Sequence, residues 1–370
     1  MTLEHNRTSL FSWFDKVEDL KVSKDKKLTV NVYGDSTSVG FVAGLYSDVI
    51  GKWRRGYVGR IRERYKNIFQ DVGLGVIQPN YLWTYTGTWS TRETDPETAI
   101  GRNYYGGERG EEYGFIGTSK QTDEENATAT LAFNGTGINL FMQQTDDSGT
   151  VNVAIDGGEA TLYDLESTTN TARRIQITGL EDGAHSIVLT KTDDAKMIYL
   201  LGAQEVRGDY GVIVNNMSQG GAEIRNIESQ NLTLMASSTF FNADLTIINL
   251  ILNGRVSNTV ESYLNQLEVI IGAASQTGDV LIIIPPAAVA EATTSYFDSV
   301  IDYADENGVA LIDLYSELDG NMAVMYDNVH PNIAGHFWEG RMVSDFIMPN
   351  SMQLDGLNWK TNLKQFLRMI

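Results

Sequence analysis

With 370 residues the chain exceeds one average domain and can bury a core without covalent staples, and its lack of cysteine excludes disulfides, thiolate zinc sites and cysteine nucleophiles. Lys plus Arg number 28 against 48 Asp plus Glu, and the resulting net charge of −20 repels nucleic acid and anionic membranes at long range. No run of about 18 apolar residues exists, so no membrane insertion is expected.

The charge is uneven. Residues 1–70 carry 13 basic and 8 acidic side chains, and residues 71–370 carry 15 and 40. The basic excess lies mainly in KWRRGYVGRIRERYK, 52–66, which reads either as a surface for an anionic glycan or as the solvated face of a helix buried through Val58, Ile61 and Tyr65; the second reading is preferred.

Residues 1–27 read as a lead-in element, amphipathic through Leu10, Phe11, Phe14 and Val17, without chemistry of its own. The N-terminal stretch lacks the basic-then-apolar order of a signal peptide, so either a mature fragment or a protein reaching the outside as a virion component is expected. LTVNVYGDS is the first buried strand. TSVGFVAGLYSDVI and GYVGRIRERYKNIF follow with helical spacing, and DVGLGVIQP, 71–79, reads as a second strand closed by Pro79. The order β, α, β opens a parallel α/β sheet.

From residue 81 the pattern changes to short alternating runs punctuated by Gly and Asp, such as ATATLAFNGTGINLFMQ, GTVNVAIDGG and AHSIVLTKT. These predict an antiparallel β-sandwich over 81–208. The aromatic stretch 83–114 is either a binding loop or its first strands. Continuous apolar strands return at GVIVNNMSQGG and recur at DLTIINLIL, DVLIIIPP and VALIDLYSEL with helical segments between, so 28–80 and 209–350 form one interrupted α/β domain. Residues 332–348 are its final helix. The tail 351–370 is amphipathic and fits packing on the body or a homo-oligomeric contact.

Four stretches carry candidate chemistry. Gly34-Asp35-Ser36 ends an apolar strand in a turn that can present a hydroxyl to solvent, although Ser36 taken alone reads equally well as a helix cap. A serine needs a base to take its proton and a third group to fix the tautomer of that base. Asp327 and His330, three apart and just before Pro331, fit that pair. Asp35 reads as a turn-holding side chain, and His336, inside the final helix, as structural. Cysteine is absent and no histidine pair other than His330 and His336 has ligand spacing, so neither metal nor cofactor is expected; Asp156-Gly157-Gly158-Glu159 reads as a hairpin turn.

GDSTS at 34–38, Asn-x-Ser-x-Gly-Gly at 216–221, Asn253 and DNVHPNIAGH at 327–336 together resemble the blocks of the SGNH (GDSL-like) hydrolase family, in their usual order. The resemblance implies a three-layer α/β/α domain with a parallel sheet, here interrupted by a jelly-roll-like β-sandwich. It implies Ser36 as nucleophile, His330 as base, Asp327 as its orienting carboxylate, and an oxyanion hole from the Ser36 N–H, a glycine N–H and an asparagine side chain. The last two fall on Gly221, with Gly220 as its near neighbour, and on Asn253. The usual Gly-x-Asn-Asp is replaced by Ile251-Leu252-Asn253-Gly254, and Asn253 alternatively closes the strand in a turn.

A sandwich inside such a domain resembles the carbohydrate-binding-like module of some polysaccharide and peptidoglycan O-acetylesterases. On that resemblance the expected partner is an O-acetylated glycan and the expected reaction is ester hydrolysis outside the cytoplasm, on a virion tail or in the periplasm. Trp83, Tyr85, Trp89, Tyr104 and Tyr105 are candidate sugar contacts, or else fillers of the domain junction. The alternative to the enzyme is a glycan-binding adhesin with a weak or inactive site.

Overall fold

The computed structural model describes residues 4–43, 53–92, 119–192, 195–224, 240–257, 259–288 and 291–352. The chain divides into two compact units, one of residues 1–70 with 210–370 and one of residues 71–209.

The first unit is built on a six-stranded sheet. Strand Lys27–Gly34 lies between Gly211–Asn216 and Leu245–Asn249, parallel to both, and Asp279–Ile284 and Ala310–Asp313 continue the parallel order. These strands are apolar runs because both of their faces are buried. Leu28, Val30, Val32, Val212, Val214, Leu245, Ile247, Leu281, Ile283 and Ile312 form one core with helices Phe11–Ser23, Tyr57–Ile68 and Ile333–Phe346. The alternating residues Ile248, Ile282, Ile284 and Leu311 are buried as well.

The lead-in stretch is part of this unit. Glu4–His5 pairs antiparallel with Leu311–Ile312 and covers the sheet edge, and Trp13 is fully buried with its indole N–H donating to the Ile347 carbonyl at 2.7 Å. The buried face runs Leu10, Trp13, Val17, Leu20, whereas Phe11, expected inside, is 73% exposed. Helix Tyr57–Ile68 buries Tyr57, Val58, Ile61 and Tyr65, the face expected from spacing. Its basic side carries Arg60 and Arg64, which with Lys21, Phe337, Arg341 and Met352 line a cavity of about 600 Å³; Ser36, Asp327 and His330 do not line it.

The second unit is a nine-stranded antiparallel sheet dominated by Thr128–Gln144 and Thr171–Lys191. Their ladder breaks between Thr178 and Gly183, opposite Gly135 and Gly137. A Cβ on Gly135 would stand 2.4 Å from the Val206 carbonyl oxygen, so only glycine fits this crossing. Asp156 and Gly157, both at positive φ, form the expected hairpin turn, with Asp156 accepting from the Ser186 N–H at 2.7 Å.

One strand belongs elsewhere than the sequence suggested. Val76–Ile77 pairs antiparallel with Ala203–Gln204 and so joins the β unit, not the parallel sheet. Gly73 at φ +89 interrupts the run, and the Leu74 N–H donates to the Glu205 carboxylate at 2.7 Å, which ties the segment to the neighbouring strand. The division therefore falls at 71 and 209, outside the expected 81 and 208. No helix among the described residues is long and apolar enough to cross a membrane. The tail beyond 352 lies outside the described residues.

Candidate active site

Strand Lys27–Gly34 ends at a one-turn helix, Ser36–Val39. Gly34 is required by crowding: a Cβ there would meet the Ser38 Oγ at 2.0 Å and the Ser218 Oγ at 3.1 Å. Asp35 caps the turn, its Oδ1 accepting from the Thr37 N–H and hydroxyl at 2.9 Å each. Burial pushes its carboxyl above the ordinary range, against the lowering effect of those Thr37 bonds. The helix stops at Gly40, φ +87, and residues 44–50 of the helical stretch expected over 37–50 lie outside the described residues.

Three side chains separated in sequence meet at this turn. The Ser36 Oγ lies 2.9 Å from the His330 Nε2, and the His330 Nδ1 lies 2.8 and 3.1 Å from the two oxygens of Asp327. A carboxylate only accepts, so the Nδ1 carries the proton and the Nε2 keeps the lone pair that faces Ser36. Asp327 also accepts the backbone N–H groups of Val329 and His330 at 2.8 Å each, so one carboxylate grips both the ring and the main chain of the histidine. Burial pushes the Asp327 carboxyl up, but the hydrogen bonds from the His330 ring and these two N–H groups outweigh it and hold the group below the usual carboxylate range. Asn332 caps the helix that follows, accepting from the Gly335 N–H at 3.0 Å.

The glycine pair stands beside the nucleophile. A Cβ on Gly220 would sit 4.0 Å from the Ser36 Cβ, and Gly221 takes φ +81. Asn253 is the third residue of helix Ile251–Ser257, so it closes no turn. Its amide donates to the Ala222 carbonyl at 3.1 Å and reaches Asp35 Oδ2 at only 3.5 Å.

A buried polar layer, not anticipated as a set, lies under the turn. The Asn216 amide donates to the Ser38 carbonyl at 2.8 Å, and the Ser38 hydroxyl meets the Tyr57 hydroxyl at 2.7 Å. The Asn249 amide stands 3.2 Å from that phenol and 3.3 Å from both the Thr37 and Ser38 hydroxyls. Burial pushes the Tyr57 phenol upward, so it stays a neutral donor and acceptor. The one available signal was the polarity of Asn249 inside an otherwise apolar strand.

In the β unit, Trp83, Tyr85 and Trp89 are half-buried, with the Tyr85 and Trp89 rings 5.1 Å apart. Tyr104 and Tyr105 lie outside the described residues. No cluster of three or more His, Asp or Glu side chains suited to a metal occurs among the described residues.

An acyl ester presented to Ser36 can be attacked by its hydroxyl as the His330 Nε2 takes the proton. The fold carrying this constellation is shared with a solved esterase. A solved peptidoglycan O-acetylesterase matches 90% of this chain and 94% of its own, with a TM-score of 0.68 at 14% identity. A family two carbohydrate esterase from Clostridium thermocellum, solved with cellohexaose, matches 61% of this chain and 93% of its own at 12% identity and a TM-score of 0.30. Among curated proteins, an A type blood alpha-D-galactosamine galactosaminidase of Flavonifractor plautii is 35% identical over 80 residues, 21% of this chain and 7% of that protein. No protein-family model matches.

Proposed function

We propose that the protein is a serine esterase that removes O-acetyl groups from a cell-surface polysaccharide, whether capsule, O-antigen or peptidoglycan. The observation that carries this reading is the chain of contacts from Ser36 through His330 to Asp327, at 2.9 and 2.8 Å. The shared fold supports it, with the α/β unit read as the three-layer SGNH domain and the β unit as a jelly-roll-like, carbohydrate-binding-like insertion.

The Ser36 Oγ attacks the acetyl carbonyl while His330 accepts its proton, and the imidazolium formed is stabilised by Asp327. His330 then protonates the departing sugar oxygen, leaving an acetyl-enzyme. Water, deprotonated by the same imidazole, releases acetate. Negative charge on the acetyl oxygen is received by the Ser36 N–H, the Gly221 N–H and the Asn253 amide. The second N–H of that amide is held only at 3.5 Å by Asp35, a bond weak enough to exchange for an oxyanion. Trp83 and Trp89 are the sugar contacts of this reading among the described residues. The substrate class sets the compartment, which is extracellular, periplasmic or virion-borne.

Release of acetate from p-nitrophenyl acetate by the purified chain, compared with Ser36→Ala, tests the chemistry. A wild type indistinguishable from buffer leaves the adhesin. Acetate release from a panel of O-acetylated glycans then identifies the sugar.

A further inference from the structure

The final helix carries a second histidine that the proposed chemistry does not use. His336 and Glu339 stand three residues apart, and both are fully buried at 0% exposure. The His336 Nε2 lies 2.9 Å from the Phe41 carbonyl oxygen. A carbonyl only accepts, so this nitrogen carries the proton and the Nδ1 is left with a lone pair. That Nδ1 has no hydrogen-bond partner among the described residues, and the Glu339 Oε2 faces it across 3.8 Å. Neither oxygen of Glu339 has another partner.

An ionised carboxylate buried without partners carries the desolvation penalty of an unpaired internal charge, which disfavours that form. Burial, with the nearby Asp35 adding to it, pushes the Glu339 carboxyl well above its ordinary range, and burial pulls the His336 imidazole down to about 4. The imidazole is therefore neutral near pH 7, and burial favours the protonated, neutral form of the carboxyl. The arrangement that leaves fewest polar atoms unmatched points the Glu339 O–H at the His336 Nδ1, across a gap that a small side-chain movement closes.

The end of this chain is Phe41. Its N–H donates to the Ser36 carbonyl at 3.0 Å, and its ring lies 4.6 Å from the His330 ring at 54°. Through its amide, carbonyl and ring, one residue thus touches the nucleophile turn, the buried histidine and the base. The charged and titratable groups around this assembly are Asp35, Tyr57 and Arg60, and His330 with its partner Asp327.

We propose that Glu339 and His336 form a buried neutral relay that anchors the Phe41 carbonyl and so holds the Phe41 ring against His330, which makes both of them positioning residues for hydrolysis. The proposal rests on the reading of Ser36 and His330 as the reacting pair.

Five variants of the full chain test it: His336→Leu, His336→Gln, Glu339→Leu, Glu339→Gln and Phe41→Leu. The readouts are kcat and KM for p-nitrophenyl acetate, the rate at which a fluorophosphonate labels Ser36, and the melting temperature. The three leucine variants are expected to lower kcat and the labelling rate by about 10- to 100-fold, the scale of a slightly misplaced base, with KM little changed. His336→Gln can still donate to the Phe41 carbonyl, and Glu339→Gln can still donate to the His336 Nδ1, so both are expected to recover most of the rate.

A folded His336→Leu with wild-type kcat overturns the proposal, as does Glu339→Gln behaving like Glu339→Leu. Should the leucine variants at 336 and 339 fail to fold, Phe41→Leu decides alone, since it keeps the carbonyl and removes only the ring; an unchanged kcat there is fatal. A wild type that neither hydrolyses the ester nor takes the label overturns the underlying catalytic reading, and this proposal with it.

Discussion

Both units of the chain bury polar side chains, and they put them to different use. In the β unit several such groups tie one strand or loop to the next. Glu205 accepts the N–H groups of Leu74 and Asn134 at 2.7 and 3.0 Å, Asn139 donates to Gln204 at 3.1 Å, and Gln143 donates to Asn170 at 2.7 Å. In the α/β unit Asp35, Ser38, Tyr57, Asn216 and Asn249 all converge on the single turn that carries Ser36. A buried polar residue is therefore no mark of function by itself, because most buried polar groups find partners wherever they stand. Convergence on one half-buried hydroxyl is the mark.

The sharpest way to break this contrast is at Ser36. Ser36→Ala is expected to lower kcat by about 10⁴-fold or more while leaving the melting temperature near wild type. Retained turnover would mean that the convergence serves structure alone. Next in size is Asn253→Ala, expected to cost about 10²- to 10³-fold in kcat if the amide receives the oxyanion. An unchanged kcat would return Asn253 to its bond with the Ala222 carbonyl.

Titration separates the two uses more finely. Unfolded His336 takes a proton near 6.5 and the folded residue only at about 4, so between those values the unfolded chain binds more protons and stability rises with pH. Glu339 works in the opposite sense. Its folded value lies well above 4.5, so the native state binds more protons there and stability falls as pH rises through that window. The two partly cancel in the wild type. Glu339→Gln removes the second, and from pH 4 to 6.5 its stability, read from denaturant midpoints, is expected to rise by about 3 kcal/mol more than that of a Glu339→Gln, His336→Leu double variant. Equal slopes would show that the imidazole is not held neutral.

The smallest effect belongs to the β unit. Glu205→Gln sets an amide donor against one of two backbone donors and is expected to cost about 1–3 kcal/mol of stability, seen in thermal or denaturant unfolding. Its kcat on p-nitrophenyl acetate should not move. A fall in kcat without a fall in stability would erase the distinction between the units.

Much of this was legible because it is local. A glycine and an aspartate at the end of an apolar strand specify the turn at Ser36 within a few residues, and Asp327 reaches His330 through an i,i+3 loop closed by Pro331 and Asn332. Strands buried on both faces are apolar throughout, so the parallel sheet could be read as runs.

What was misread depends on partners distant in sequence. Val76–Ile77 has the composition of an α/β strand, and only Ala203–Gln204, which periodicity does not announce, assigns it to the other unit. The first turn of the helical stretch expected over 37–50 ends at Gly40, one of the glycines that break its pattern. Strand Leu245–Asn249 ends earlier than the run DLTIINLIL suggested, so Asn253 falls in helix Ile251–Ser257 and not in the turn that was its alternative reading. His336, read as structural, is buried and bonded to the Phe41 carbonyl, a partner 295 positions away that no local pattern announces.

The pairing of strand Lys27–Gly34 has a consequence for the order of assembly. Both of its neighbours, Gly211–Asn216 and Leu245–Asn249, follow the whole β unit in the chain, whereas the β unit pairs within itself. During synthesis the β unit is complete before the sheet of the other unit can close, and domains generally fold as they emerge. Until then Val30 and Val32 sit on a strand with two unpaired edges, which is an invitation to aggregation. The segment that ends in Ser36 is thus among the first made and among the last to be satisfied, and early folding of the β unit brings Asp71 and Arg207, near its two ends, together so that it can be.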